Sequence, residues 1–361
     1  MESSVSVRGF VARLYLVVTK SNSDVDTDSG HTWPTPAKRA RLHFISGKGG
    51  TGKTTVAGAL ALALAQGGKR VLLVECEGRQ GIAQLFDRPP LPATDELIAT
   101  VSGGEVHGLA IDIEHALLEY LEMFYNLGFA GRAMKRIGAI DFVTTVAPGL
   151  RDVILTGKIK ERIIATDKSG QHIYDAVVVD SPPTGRIGNF LDVTQAMADL
   201  TKTGPIRKQS DGVTQLLHSA DTAVHLVTLL EAMPIQETIE AVEELQRKDL
   251  RVGAIFVNRV VPALLPESEI DEIAEGNIDA ARIKTNLEAA GIDLGQDEFA
   301  GLLTEAIEHA IRYQAQQVAS GQLDTVENKE GTPVATVELP NLNNDVASVY
   351  ELAQVLRKAG V

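Results

Sequence analysis

The sequence predicts an α/β fold: a mostly parallel, doubly wound sheet flanked by helices, with a helical insertion. Three observations carry that prediction. Short apolar runs rich in β-branched residues alternate with helical stretches from Arg41 onward, and strands apolar on both faces belong to parallel sheets. The first run enters a glycine loop that opens an Ala/Leu-rich helix, the strand–loop–helix start of a doubly wound sheet. A stretch from about 112 to 170 then departs from the alternation and keeps helical spacing throughout.

Taken in order, residues 1–39 end in a polar segment with Pro34 and Pro36 and read as an N-terminal tail or linker. The remainder, 40–361, reads as one domain. Leu42–Ser46 is the first strand, and Val56–Ala65, stopped by Gly67 and Gly68, is the helix after the loop. Arg70–Glu75, Tyr174–Asp180, Thr222–Thr228 and Val252–Asn258 repeat the buried-strand pattern. Pro234 to Arg247 is a helix with proline in its first turn. In the insertion, Leu117, Leu118, Leu121, Met123, Phe124, Leu127 and Phe129 make an apolar helical run, and Asp152–Ile164 continues with helical spacing. The apolar stretch 117–143 serves as core, as a subunit interface or as a groove for a client. Ala335–Pro340 is a last short strand, stopped by its proline, and Val346–Lys358, capped by Asp345, is a terminal helix.

Ligands of such sheets sit at the carboxyl ends of the strands, where the chemistry-bearing residues fall. Gly47-Lys48-Gly49-Gly50-Thr51-Gly52-Lys53-Thr54-Thr55 fits the phosphate-loop (P-loop) pattern of Gly, four residues, Gly, Lys and Ser or Thr. Glycines let backbone N–H groups turn inward around phosphate oxygens, and the helix N-terminus adds positive potential there. The pattern assigns Lys53 to the β- and γ-phosphates of a nucleotide and the Thr54 hydroxyl to Mg²⁺. Asp180 opens Asp180-Ser181-Pro182-Pro183-Thr184-Gly185 at a strand end, where a carboxylate completes the Mg²⁺ shell. Hydrolysis also needs a group that places water in line with the γ-phosphate. In the loop Glu75-Cys76-Glu77-Gly78-Arg79-Gln80-Gly81, Glu77 is the first candidate and Gln80 the second.

Composition sets bounds. A formal net charge of −14 argues against nucleic-acid partners or anionic membranes. The lone cysteine, Cys76, excludes an internal disulfide and any Cys-x-x-Cys zinc site, which fits a reducing cytoplasm. Apolar runs of about ten residues are too short to span a bilayer.

The loop, with Lys48 directly after Gly47, resembles the deviant phosphate loop (deviant Walker A) of a class of dimeric ATPases. In that class the extra lysine crosses the dimer interface to the partner's nucleotide, and Lys48 matches it. Add the acidic loop after strand two, Asp180-Ser181-Pro182-Pro183-Thr184-Gly185 and Val257-Asn258-Arg259, in that order, with Ala147-Pro148-Gly149 in the insertion. The whole then resembles the anion-transporting ATPase family, which holds the arsenite-pump and tail-anchored-protein-targeting ATPases. The likeness covers residues 41–260 well and the C-terminal helix weakly. It implies a P-loop NTPase fold, ATP with Mg²⁺, a homodimer or a heterodimer with a paralogous ATPase, and a client protein or membrane complex as partner. It also implies that Asn258 reads adenine and that Glu231 approaches nucleotide across the dimer.

Two departures matter. Glu77 stands where better-known members carry a water-activating aspartate, and an extra methylene moves a bound water further than catalysis tolerates. Cys76 alone cannot reproduce the family's thiolate metalloid site or its zinc clamp. The expected function is a cytoplasmic, Mg²⁺-dependent switch ATPase. Its rival is a nucleotide-binding regulatory subunit with little hydrolysis of its own. A partition or septum-positioning ATPase ranks below both, because the terminal helix carries only Arg357 and Lys358 as basic residues.

Overall fold

The computed structural model describes residues 33–116, 119, 148–192, 205–342 and 346–361. The chain divides into two compact units, one of residues 31–259 with 322–361 and one that includes residues 260–321.

The larger unit is built on an eight-stranded sheet among the described residues, ordered β3-β4-β2-β5-β1-β6-β7-β8. Its strands are β1 (Leu42–Gly47), β2 (Arg70–Glu75), β3 (Glu96–Val101), β4 (Gly104–Ala110), β5 (Ala176–Asp180), β6 (Thr222–Thr228), β7 (Val252–Val260) and β8 (Thr336–Pro340). β1 pairs in parallel with β5 and β6, β2 with β4 and β5, and β6 with β7. Only β3 and β4 run antiparallel among the pairs with a defined register. They form a hairpin that the sequence reading did not identify. Its turn is Ser102-Gly103, with φ of 46° and 81°, the doubly positive signature of a tight two-residue hairpin turn.

The central strands are apolar because both faces are covered. β1 is buried along its whole length, and Val71 to Val74 and Val177 to Val179 have no exposed surface. On one face lies α2 (Lys53–Ala65), in which Val56 to Ala63 are all buried. A helix apolar all round must be enclosed. α3 (Gly81–Leu85) and α11 (Val346–Lys358) help to enclose it. A Cβ at Gly58 would stand 2.6 Å from Leu85 Cδ2 and 3.3 Å from Val349 Cγ2, so glycine sets how closely these helices approach. The other helices of this unit are α1 (Thr35–Arg39), α4 (Pro148–Ile164), α5 (Thr184–Leu191), α6 (Pro205–Leu217) and α7 (Ala232–Arg247).

Trp33 and Ala37, within the stretch read from sequence as linker, belong to the core. Trp33 is 2% exposed, its N–H donates to Ala359 O at 2.6 Å, and its ring stacks 5.1 Å from His225. Two prolines and polar neighbours hid one aromatic anchor. Of the insertion, α4 is described and covers the expected 152–164. Residues 120–147 lie outside the described ones, and with them most of the apolar stretch 117–143.

The smaller unit contains α8 (Glu267–Ala274), α9 (Ala280–Ala289) and α10 (Gln296–Leu323) up to Gly321. Its core is small: Ile270, Ala310 and Tyr313, with Val261, Ile273 and Ala274 packed against them. Asp279 caps α9 by accepting from Arg282 N at 2.9 Å. No helix among the described residues is long and apolar enough to cross a membrane.

Candidate nucleotide site

Strand register brings the expected residues to one edge. Asp180 lies beside Ile45 of β1 and Glu75 of β2, while Gly47 lies beside Val227 of β6. The loop from Gly47 to Gly52 crosses this edge and delivers Lys53, Thr54 and Thr55 to the first turn of α2.

The glycines of the loop have distinct duties. A Cβ at Gly47 would stand 2.3 Å from Val227 O, so only glycine lets the loop leave β1 this close to β6. Gly50 and Gly52 have φ of 88° and 95°, a region costly for other residues. A Cβ at Gly52 would also meet Asn258 Nδ2 at 2.3 Å. Gly49 has open space where a side chain would be, as backbone that must approach a ligand requires.

Asn258 is the brace behind this loop. It is 6% exposed, its Nδ2 donates to Thr51 O at 2.8 Å, and its Oδ1 accepts from Arg259 N at 3.0 Å. Arg259 is held at φ 58°. Both ends of the amide are thus engaged with backbone. Thr51 closes the loop on itself, its hydroxyl donating to Lys48 O at 2.9 Å. Lys53 Nζ also turns back onto Lys48 O, at 3.3 Å. Burial lowers the proton affinity of Lys53, while the charges of Asp180 and Glu77 oppose that change.

Thr54 and Asp180, the two expected Mg²⁺ ligands, are in direct contact: Thr54 Oγ1 donates to Asp180 Oδ2 at 2.6 Å. Burial pushes the Asp180 carboxyl up to about 6, against the Thr54 hydrogen bond and the Lys53 charge. A carboxylate and a hydroxyl, both oxygen donors side by side, fit a hard divalent cation that would relieve the burial cost of the anion.

The loop after β2 is shaped by a residue that sequence reasoning passed over. Glu75 is 2% exposed. Its carboxylate accepts from the backbone N–H of Gln80 and from that of Ile82 at 3.1 Å, so it anchors the loop to α3. An acidic residue ending an apolar strand was the available signal. Gln80, the second water-positioning candidate, faces away, its Oε1 accepting from Leu91 N at 2.8 Å. Glu77 stays at the site but is occupied by arginines: Arg79 at 3.2 Å and Arg186, on α5, at 3.9 Å.

Ser46 Oγ donates to Pro182 O at 2.7 Å, tying the end of β1 to the segment after Asp180. Lys48 Nζ lies 2.6 Å from Glu237 Oε1 on α7, and Glu237 Oε2 accepts from Thr184 Oγ1 at 3.3 Å. Lys48 is therefore paired within its own chain, an arrangement that sequence reasoning did not foresee. Glu231, exposed, occupies the cap position of α7 without a side-chain capping bond. Cys76 is buried, and burial raises its thiol far above the ordinary range.

The chain is similar to known ATPases. A family model for anion-transporting ATPases matches residues 40–214. ATPase BagA of Mycobacterium tuberculosis is 56% identical over 332 residues, 91% of this chain and 96% of that relative. An arsenical pump-driving ATPase of Escherichia coli is 27% identical over 249 residues, 61% of this chain and 39% of that relative. One from Acidiphilium multivorum is 27% identical over 249 residues, covering 64% and 41%. With its phosphate loop at the carboxyl edge of a mostly parallel sheet, the chain belongs to the anion-transporting ATPase family and is a P-loop ATPase.

Proposed function

We propose that this chain is a Mg²⁺-dependent cytoplasmic ATPase that dimerises around nucleotide and couples ATP state to a partner protein or membrane complex. The observation that supports the reading most is the Thr54–Asp180 contact of 2.6 Å beside Lys53. The Thr54 hydroxyl and Asp180 would hold Mg²⁺, which neutralises charge on the β- and γ-phosphates. Backbone N–H groups of the loop cradle the phosphates, and Lys53 exchanges Lys48 O for a phosphate oxygen. Glu77 orients the attacking water once Arg79 turns from it to the nucleotide. Lys48, a partly exposed cation on this edge, supplies charge across a homodimer or heterodimer interface, and Glu231 approaches from α7. The relatives named arsenical pump-driving ATPases are named for driving a pump, and we extend a partner of that kind to this chain. Nucleic acid and zinc have no part in the reading.

The test is ATP turnover with and without Mg²⁺, for wild type and Lys53→Ala, with molar mass measured by light scattering in each nucleotide state. Mg²⁺-dependent turnover lost in the variant, with mass doubling in ATP, supports the proposal. Equal turnover in both proteins would overturn it. One observation favours the rival, a regulatory subunit that hydrolyses little: Glu77 is engaged by two arginines. Turnover that appears only on mixing with a paralogous ATPase would establish that rival.

A further inference from the structure

Arg186 follows Thr184-Gly185 in the first turn of α5, directly after the segment that Asp180 opens. Its guanidinium is about half exposed and lies between two carboxylates. One nitrogen is 3.9 Å from Glu77 Oε1 and another 3.8 Å from Asp152 Oδ1. Both separations exceed hydrogen-bond length, so the arginine is shared between two acceptors and bonded to neither.

The acceptors are unequally served. Glu77 has a closer partner in Arg79, at 3.2 Å. Asp152 lies on α4 with its side chain 15% exposed. Among the described residues its Oδ1, the atom facing Arg186, accepts no hydrogen bond. A mostly buried carboxylate oxygen without a donor is costly, and Arg186 is a donor within a small movement of it. Burial raises the Asp152 carboxyl, while Arg186 and Arg151 hold it down. Arg79, in turn, is felt electrostatically by Lys53, which places its charge within range of whatever the phosphate loop holds.

We propose that Arg186 is a positioning residue that carries nucleotide state from the phosphate loop to α4 by shifting between Glu77 and Asp152. The inference rests on the reading of the loop as an ATP site. With triphosphate bound, Arg79 is drawn to the phosphates and leaves Glu77 Oε2 to the attacking water, while Glu77 Oε1 draws Arg186. When the γ-phosphate departs, Arg79 returns to Glu77 and Arg186 closes on Asp152, fastening α4 to the segment after β5. The carboxylates sit on different elements, so a side-chain shift at the site becomes a change in how α4 is held.

The test is backbone hydrogen exchange across residues 151–164 of the full chain, with Mg²⁺ and either ADP or a non-hydrolysable ATP analogue. Wild type, Arg186→Ala, Arg186→Lys and Asp152→Asn are compared, with nucleotide affinity and turnover measured alongside. In wild type, exchange in α4 should be slower in ADP than in the ATP analogue. In Arg186→Ala that difference should vanish while ATP affinity stays within about threefold, because exposed ion pairs are weak. Arg186→Lys should restore part of the difference, and Asp152→Asn should remove it. If Arg186→Ala keeps the wild-type difference, or wild type shows none, the proposal fails although nucleotide binding persists. If wild type binds neither nucleotide, the ATP-site reading fails, and this inference with it.

Discussion

Replacing Asn258 by alanine should weaken binding of inorganic tripolyphosphate, which has no base to read. The Asn258 amide donates to Thr51 O at 2.8 Å and accepts from Arg259 N, in a setting 6% exposed. Removing it leaves the Thr51 carbonyl without its donor inside the fold and frees Arg259 from its φ of 58°. A lost buried hydrogen bond of this kind costs about 1–2 kcal/mol, or about 5- to 30-fold in an equilibrium constant. The loop must recover its shape to cradle phosphate, so that factor should appear in phosphate affinity. Calorimetric titration with Mg²⁺-tripolyphosphate and Mg²⁺-ATP reads it directly. We expect tripolyphosphate to weaken about 5- to 30-fold and ATP by at least as much. If ATP weakens while tripolyphosphate binds as in wild type, Asn258 only reads adenine and the brace argument is wrong.

Other consequences follow from the same packing. Glu237→Gln removes the carboxylate that neutralises Lys48 at 2.6 Å, with side chains 31% and 33% exposed. Discounted for solvent, such a pair is worth about 0.2–1 kcal/mol, so ATP should bind up to about 5-fold tighter and more salt-sensitively; weaker binding would contradict this. Trp33→Ala should lower stability by about 3–5 kcal/mol, read as a shift in the urea midpoint; an unchanged midpoint would show that residues 33–39 are dispensable. His43 Nδ1 and His225 Nε2 lie 3.1 Å apart with both rings fully buried, so one must donate and the other accept. Burial depresses His43 to about 4 and His225 in the same direction. Because the unfolded chain binds the proton more readily, stability is full above about pH 6.5 and falls as the pH drops below it. His43 alone should cost about 2 kcal/mol between pH 7 and 5. Urea unfolding at both pH values measures this, and His43→Gln should shrink the difference; an equal drop in the variant would assign it elsewhere.

The parts of the fold that were legible are those where one local rule dominates. The buried strands β1, β2, β5, β6 and β7 needed only continuous apolar runs, and the loop needed only its glycines, Lys53 and Thr54. Both signals are short-range. What sequence reading missed depends on partners far along the chain. Trp33 looks like a linker residue until His225 and Phe256 are known to stack beside it. β3 is half exposed, and β4 is mostly buried but breaks its apolar run with Gly104, Glu105, His107 and Gly108, so the Ser102-Gly103 turn was the readable clue. Helices α8 and α10 pack around a core of few large side chains, which leaves little hydrophobic period to detect. At the site, the carboxylates were easy to nominate, but their pairing was not. Whether Glu77 or Gln80 faces the phosphates depends on Leu91 N and on two arginines, and no spacing rule reports those.

Thr54 and Asp180 are proposed to form the Mg²⁺ position of a working ATP site. The most direct test of that assignment is steady-state ATP turnover as a function of Mg²⁺ concentration, for wild type against Asp180→Asn. Wild type should show saturable Mg²⁺-dependent turnover, and the variant should lose about 100-fold or more, comparable to removing a preorganised charge-stabilising group. Turnover in Asp180→Asn with the same rate and the same Mg²⁺ dependence as wild type would contradict it.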